Sequence, residues 1–443
     1  MNPPFFNRWR DHLREALAKL PDRRKGANRS YAMEDFGLSA FAVFFTQSPS
    51  FLAYQKAMRE ARGCDNAQSL FGITRIPSDN QVRQMLDPVP PEALHPLFDQ
   101  VLDALRDEGL LKDFRGVHQS TLIALDGTGY RSSAKVHGPC CSHLTPEKGP
   151  RIYFHTALTP VMVAPARAEV FALRPEYIAP QDGHEKQDCE IAAAKRWLQA
   201  NFELYRRHGP VTLLGDDIYA HQPFCRQVLL HDGHFLFTAK PSSHIALYRW
   251  IEDLQPGPDL RTLRLRVREK AETLTSIYRW ANGAPLAEGE DALKVNWFEL
   301  RVTNAQGETV YHNAWVSDWQ IDETNVASLA ASARARWKIE NENNNVLKNY
   351  GYHLEHNFGH GDEYLSMILV LLNVLAFLFH TVLDLVDEVY QRLRTHLRAR
   401  KTFFTDLQAL TRYIHFADWD QLLNFMYVQL ELDQPAASRR RKS

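Results

Sequence analysis

The stretch TLIALDGT, residues 121–128, decides how the chain is read. Thr121–Asp126 is a short apolar run rich in strand formers; it ends in a carboxylate, and Gly127 follows at once. VTLLGD at 211–216 repeats the design, with Asp216 at its end. Between the two, RIYFHTAL (151–158) and VMVAPARAEVFAL (161–173), joined through Pro160, read as strands, and the Ser-, Gly-, Pro- and Cys-rich residues after 128 as a loop. Asp188–Arg207 reads as a helix with Ile191, Ala194, Trp197, Leu198 and Phe202 on one side. A helix over Ala220–Leu230 and a strand HFLFTAK (234–240) complete the order strand, strand, strand, helix, strand, helix, strand.

If the first and fourth strands are neighbours, Asp126 and Asp216 project from adjacent positions on one sheet edge. Two such carboxylates repel and are comfortable only around a cation. Oxygen ligation suits Mg²⁺ or Mn²⁺. Two such ions about 3.5–4 Å apart activate a water on one side of a phosphodiester and stabilise the leaving oxygen on the other. A third acid is needed, and the helix expected over Asn325–Lys348, capped by Thr324, offers Glu340 and Glu342.

Outward from this region, residues 1–118 read as an all-helical region, with Phe5–Leu20 and Glu92–Leu111 amphipathic and Ser78 or Asp79 capping a short helix after Pro77. That short helix fits half of a helix-turn-helix or a supporting bundle equally. Residues 119–240 hold the first part of an α/β unit, 241–322 a β-rich insertion (LRTLRLRVRE, LTSIYRWA, VNWFELRV, TVYHNAWVSDW), 323–430 closing helices, and 431–443 a basic tail. Leu365–Leu383 carries no Asp, Glu, Lys or Arg and is long enough to span a bilayer. Its polar Ser366, Asn373, His380 and Thr381 and its acidic flanks favour a helix buried in the core, and no membrane association is expected.

At 443 residues, with domains of about 100–200 residues, two to four units are expected. Hydrophobic content of 44% and charged content of 24% exclude a disordered or disulfide-dense chain. A net charge of −1 excludes a uniformly basic nucleic-acid binder, so any such partner must be held by local patches such as Arg8–Arg29, Arg334–Lys348 and Arg392–Lys401. Five cysteines, an odd number, point to a reducing compartment, and the basic first thirty residues lack the apolar run of an export signal.

Taken together, these residues resemble the DDE transposases of bacterial insertion sequences, whose catalytic domain is a ribonuclease-H-like α/β fold: a mixed sheet with flanking helices and a β insertion. LDGT (125–128) resembles the first acidic motif. GDDIYA (215–220) resembles the second, in which an aromatic follows the acid, selecting Asp216 with Tyr219 over Asp217. RARWKIEN (334–341) resembles the third, Tyr-x2-Arg-x3-Glu-x6-Lys, through Arg336 and Glu340. Ala333 stands where that motif has Tyr, and Lys348 lies one residue further from Glu340, so Glu342 stays an alternative.

The resemblance implies a DNA transposase that cuts strands at transposon ends and transfers them into target DNA. It implies a catalytic triad Asp126, Asp216 and Glu340 binding Mg²⁺ or Mn²⁺, in two-ion form, and a homodimer holding terminal inverted repeats in a synaptic complex. Arg336 and Lys348 would hold phosphates, with Tyr219 and Lys186 also expected at the DNA, and Trp280, Trp297, Trp315 and Trp319 either stack an unpaired base or pack in the core. The expected location is the cytoplasm, at the nucleoid. A nuclease that cuts without joining, or a decayed transposase that only binds DNA, shares most of these residues.

Three further clusters stand out. His137, Cys140, Cys141 and His143, with His155 and Cys189, form either a structural Zn²⁺ site or a loop of reduced thiols. DGHEKQDCE (182–190) reads as a turn and helix start, or as a loop placing Lys186 and Gln187 near DNA. His353, His356 and His360 read as metal ligands or, more simply, a polar turn.

Overall fold

The computed structural model describes residues 5–25, 29–138, 141–180, 188–269 and 272–432. Lys186 and Gln187, Cys140, and residues 433–443 of the basic tail lie outside the described residues. The chain is mixed α/β.

The N-terminal region is helical as expected: α1 (Phe5–Ala18), α2 (Met33–Phe45), α3 (Phe51–Arg59), α4 (Ala61–Phe71), α5 (Asp79–Leu86) and α6 (His95–Asp107). Ser78 caps α5 through a reciprocal capping box with Gln81, which satisfies two backbone N–H groups that the first turn leaves free. In α2, MEDFGLSAFAVFF, nearly every residue is buried, so this helix lies inside the molecule.

The chain then forms β1 (Thr121–Ala124), β2 (Gly127–Ser133), β3 (Ser142–Leu144), β4 (Ile152–Leu158), β5 (Val161–Val163), β6 (Phe171–Ala172), β7 (Glu176–Ile178), α7 (Glu190–Arg206), β8 (Val211–Gly215), α8 (Gln222–Leu230), β9 (His234–Thr238) and α9 (Ile245–Glu252). The β-rich segment gives β10 (Arg261–Glu269), β11 (Glu272–Pro285), β12 (Lys294–Thr303) and β13 (Thr309–Ser317). Among the described residues the main sheet runs β10-β11-β12-β13-β9-β8-β1-β5-β6. Strand β1 is parallel to β8, with Ile123 opposite Leu213, and β8 is parallel to β9; β5 is antiparallel to both β1 and β6. All of β1 and β8 is buried, which is why both read as unbroken apolar runs. Strand β13 pairs with β9, so the insertion prolongs the main sheet.

Two sequence expectations change here. The residues just after 128, read as a loop, belong to strand β2, and RIYFHTAL, read only as a strand in the α/β order, pairs with β2. Strands β2, β4, β3 and β7 make a second, smaller sheet, and only β5 and β6 carry the antiparallel side of the main one. Alternation along 151–158 fixes a strand but says nothing about which sheet takes it.

The closing helices are α10 (Val326–Arg334), a π-helical turn at Ile339–Asn344, α11 (Asn345–Asn349), α12 (Leu365–Val386), α13 (Glu388–Leu397), α14 (Arg400–Tyr413) and α15 (Trp419–Gln429). The single helix expected over 325–348 is therefore interrupted. Its cap position is Asn325, not Thr324, and Asp322 Oδ1 accepts from the backbone N–H groups of both residues.

Helix α12 is apolar and long enough to cross a membrane, yet residues 365–383 are all buried, packed against α1, α2, α13 and β6. Its histidine is satisfied at both ring nitrogens: His380 Nε2 bonds the Phe45 carbonyl and the Tyr390 hydroxyl meets Nδ1, both at 2.9 Å. Asp87, after α5, accepts from the N–H groups of Asp362, Glu363 and Leu365 and so fastens the loop entering α12. The N- and C-terminal helices thus share one core with the sheet.

Candidate functional site

Asp126 follows β1 and Asp216 follows β8, so the parallel pairing of these strands sets both acids at the same sheet edge. The edge is more acidic than the sequence suggested. Asp126 lies in the electrostatic reach of Glu190, Glu340 and Asp216, with the Arg336 guanidinium as the opposing charge. Burial first, and then the Glu190 charge, push the Asp126 carboxyl up to about 7. A half-buried carboxylate among three other acids is an oxygen-only setting of the kind that a hard divalent cation relieves. Asp126, Asp216, Glu340 and Glu190 are the oxygen donors at this edge; among the described residues the group whose ligand atoms already converge within 4.8 Å is Cys141, His155 and His360.

Asp126 is held by a residue that the sequence reading passed over. Asn344 Nδ2 donates to Asp126 Oδ2 at 2.9 Å. The Asn344 Oδ1 accepts from Thr159 Oγ1 and from Asn343 Nδ2, each at 2.9 Å, which fixes the direction of the amide. Asn344 ends the π turn, and such turns commonly mark functional positions in helices.

Glu190 was also passed over. It opens α7, where a carboxylate is favoured by the helix dipole, and that ordinary reading hid it. Its Oε1 accepts from the Tyr219 hydroxyl at 2.5 Å. Its other oxygen presses on the chain after Asp126: a Cβ on Gly127 would lie 2.4 Å from Oε2, so only glycine allows this approach. Tyr219, expected at the DNA, is fully buried; its role is to position Glu190.

Of the neighbouring acids at 216 and 217, Asp217 is committed to a turn, accepting from Lys240 N and Ser243 Oγ at 2.6 Å each. Asp216 is the one whose charge reaches Asp126. Glu340 is half exposed and ion-paired with Arg336 at 2.7 Å. Glu342 lies away from Asp126, on a groove of about 950 Å³ lined also by Trp337, Arg394, Arg398, Arg400 and Lys401. Lys348, expected to hold a phosphate, pairs with Glu355 at 3.0 Å. Buried Lys338 ties the start of the π turn to the loop after β5, donating to the carbonyls of Ala164, Pro165 and Arg167.

The tryptophans divide clearly. Trp280, Trp297 and Trp315 are buried between strands and helices, and Trp319 stacks on His234 with ring centroids 3.6 Å apart. They pack the sheet; the exposed tryptophan among the described residues is Trp337, next to Arg336 and on the wall of the groove that holds Glu342. The Cys/His loop divides too. Cys141 and His155 meet, and they are joined by His360 from the distant His353–His360 segment. Cys189 is exposed at the N-cap of α7, and His137 stacks on Tyr153. Burial, with His360 and Arg131 nearby, pushes the His155 imidazole down to about 4, so it is neutral at neutral pH.

Comparison with protein-family models and with curated protein sequences gives no match to this chain, so the functional reading rests on the geometry above.

Proposed function

We propose that this chain is a DDE-type DNA transposase with a ribonuclease-H-like catalytic domain, which cuts DNA strands at transposon ends and joins them to target DNA with Mg²⁺ or Mn²⁺. One observation carries the reading: Asp126 and Asp216 end adjacent parallel strands and share one electrostatic site with Glu340. First and fourth strands as neighbours, each ending in an acid, with a glutamate from a late helix, is the arrangement that the motif resemblance requires. The one-residue surplus between Glu340 and Lys348 coincides with the π turn, a form that takes up an extra residue within a helix.

In this reading Asp126, Asp216, Glu340 and Glu190 would hold the divalent cation, which would supply Lewis-acid activation of the scissile phosphate and of the attacking water or 3′-hydroxyl. Asn344 and Tyr219 hold Asp126 and Glu190 in fixed orientation. Arg336, already beside Glu340, neutralises charge that develops on the phosphate oxygens. Cleavage forms a P–O bond to the water oxygen as it breaks the bond to the 3′ oxygen, which takes a proton and leaves as a 3′-hydroxyl; joining uses that hydroxyl to displace a hydroxyl from a target phosphodiester, one P–O bond forming as one breaks. The groove containing Arg394, Arg398, Arg400 and Lys401, with exposed Trp337 at its wall, supplies a basic and aromatic path for a DNA strand. A homodimer that pairs two inverted-repeat ends, and a cytoplasmic location at the nucleoid, follow from the same reading.

The test is strand cleavage on DNA carrying the sequences that flank this chain's own coding region, with Mg²⁺ present. Wild type should cut, Asp126→Asn, Asp216→Asn and Glu340→Gln should each fall by at least about 100-fold, and Glu342→Gln should stay near wild type. Equal activity in Glu340→Gln and wild type would remove Glu340 from the site.

A further inference from the structure

We infer that Cys141, His155 and His360 form a zinc-binding site, separate from the acidic edge, that clamps the small sheet to the loop entering α12. Cys141 Sγ lies 3.2 Å from His155 Nε2 and 3.1 Å from His360 Nε2, and all three ligand atoms fall within 4.8 Å of one another. A tetrahedral zinc with ordinary Zn–S and Zn–N bonds sets the S···N separation at about 3.5 Å, so the side chains need to open by only about 0.4 Å.

The orientation of His360 suits a metal. The Nδ1 of His360 faces the Gly361 carbonyl at 2.5 Å, a contact that requires the proton on Nδ1 and leaves the Nε2 lone pair aimed at sulfur. An outer acceptor of this kind, taking the other ring N–H, is what orients a metal-binding histidine. Two ring nitrogens, His155 Nε2 and His360 Nε2, face the Cys141 sulfur. The sulfur also accepts from the backbone N–H of Gly138 at 3.2 Å, which fixes its position against the two rings. Zinc replaces the thiol proton, which leaves to solvent, and takes both nitrogen lone pairs; three protein ligands leave the fourth position to a water.

The surroundings are built for close approach. A Cβ on Gly138 would lie 2.7 Å from His360 Cε1, so the ring rests directly on the turn that carries Cys141. Cys141 and His155 are buried, and His360 is half-buried. The three residues come from the turn before β3, from β4, and from the loop that Asp87 fastens to the N-terminus of α12. A metal here ties together segments that are more than 200 positions apart in sequence, as the 219-residue separation of Cys141 and His360 shows.

The experiment uses the purified full-length chain, stripped of metal and titrated with Zn²⁺ and, separately, Co²⁺. Expected are one tightly held zinc, and with Co²⁺ a thiolate-to-metal charge-transfer band together with visible bands of tetrahedral intensity. Cys141→Ser should abolish the charge-transfer band, His360→Ala should weaken zinc binding by about 10-fold or more, and Asp126→Asn should leave the band unchanged. Because the wild-type Co²⁺ spectrum needs no variant, a folding defect in Cys141→Ser does not blunt the test. Wild-type protein without a charge-transfer band, or an undiminished band in folded Cys141→Ser, overturns the proposal.

Discussion

Asn344 Nδ2 donates to Asp126 Oδ2 at 2.9 Å, across 218 residues of sequence. That bond joins the end of the first strand to the last residue of the π turn, and Thr159, just after β4, holds the amide from the other side. The acid with the most perturbed proton affinity at the sheet edge is thus positioned by the same short turn that presents Glu340.

Replacing Asn344 with Ala removes the donor and frees Asp126 to rotate. Loss of a residue that orients a metal ligand costs about 10–100-fold in metal affinity or activity. Asn344→Ala should show that loss as a raised Mg²⁺ requirement for DNA cleavage, and Asn344→Asp, which adds a like charge, should be worse. An unchanged Mg²⁺ dependence would show that the bond is incidental.

The raised carboxyl of Asp126 makes stability depend on pH. Unfolded, it titrates near its ordinary 3.8; folded, near 7. Between those values the folded state holds the extra proton, so stability falls as pH rises through the window, and the full penalty is present above about 7. Asp126→Asn carries no such penalty. It should melt above wild type at about pH 8, by a margin that shrinks on acidification and is gone near pH 4. Mg²⁺ at high pH should raise the wild-type melting temperature and leave the variant unmoved. A margin independent of pH would contradict the electrostatic origin.

Tyr219→Phe leaves Glu190 Oε1 without its hydroxyl donor while keeping the ring packed. The expected cost is about 1–3 kcal/mol of stability, as for a hydrogen bond to a charged group, and a lower cleavage rate. Denaturant unfolding of the pair Tyr219→Phe and Glu190→Gln should be non-additive, because the two side chains share one bond.

Lys338→Met strips three carbonyls, at Ala164, Pro165 and Arg167, of their ammonium partner. Leaving such groups unpaired costs about 1–3 kcal/mol, less whatever the methionine recovers by packing. The π turn should loosen from the β5 loop, which hydrogen exchange over residues 339–349 can follow; protection equal to wild type would place the anchor elsewhere.

The basic groove is testable through salt. If Arg398 and Lys401, both exposed on its wall, neutralise phosphates, their double alanine variant should lower DNA affinity and reduce the slope of log affinity against log salt by about 2. An unaltered slope would put the DNA on another face.

The sequence showed much of this architecture and hid some of its chemistry. Thr121–Asp126 and Val211–Asp216 were legible because central parallel strands, buried on both faces, read as continuous apolar runs. The burial of Leu365–Leu383 was legible from its polar residues, of which Asn373 Nδ2 and His380 find carbonyl partners inside the protein. The division of strands between two sheets was not, because alternation in Ile152–Leu158 looks the same in either sheet. Glu190 and Asn344 escaped notice because each residue type has a commoner use, at a helix start and in a polar turn, and only folding brings them to Asp126. His360 met Cys141 for the same reason: no spacing rule connects residues 219 positions apart.

The central claim is tested most directly by strand joining. A DNA end carrying the flanking sequence of this chain's coding region, with a free 3′-hydroxyl, is incubated with wild-type protein, Mg²⁺ and an unrelated plasmid. The expected result is covalent joining of that 3′ end to the plasmid, dependent on the divalent ion and lost in Asp126→Asn, Asp216→Asn and Glu340→Gln. Cutting without joining would make the chain a nuclease, and tight binding to the end with neither reaction would contradict a catalytic role for the acidic edge.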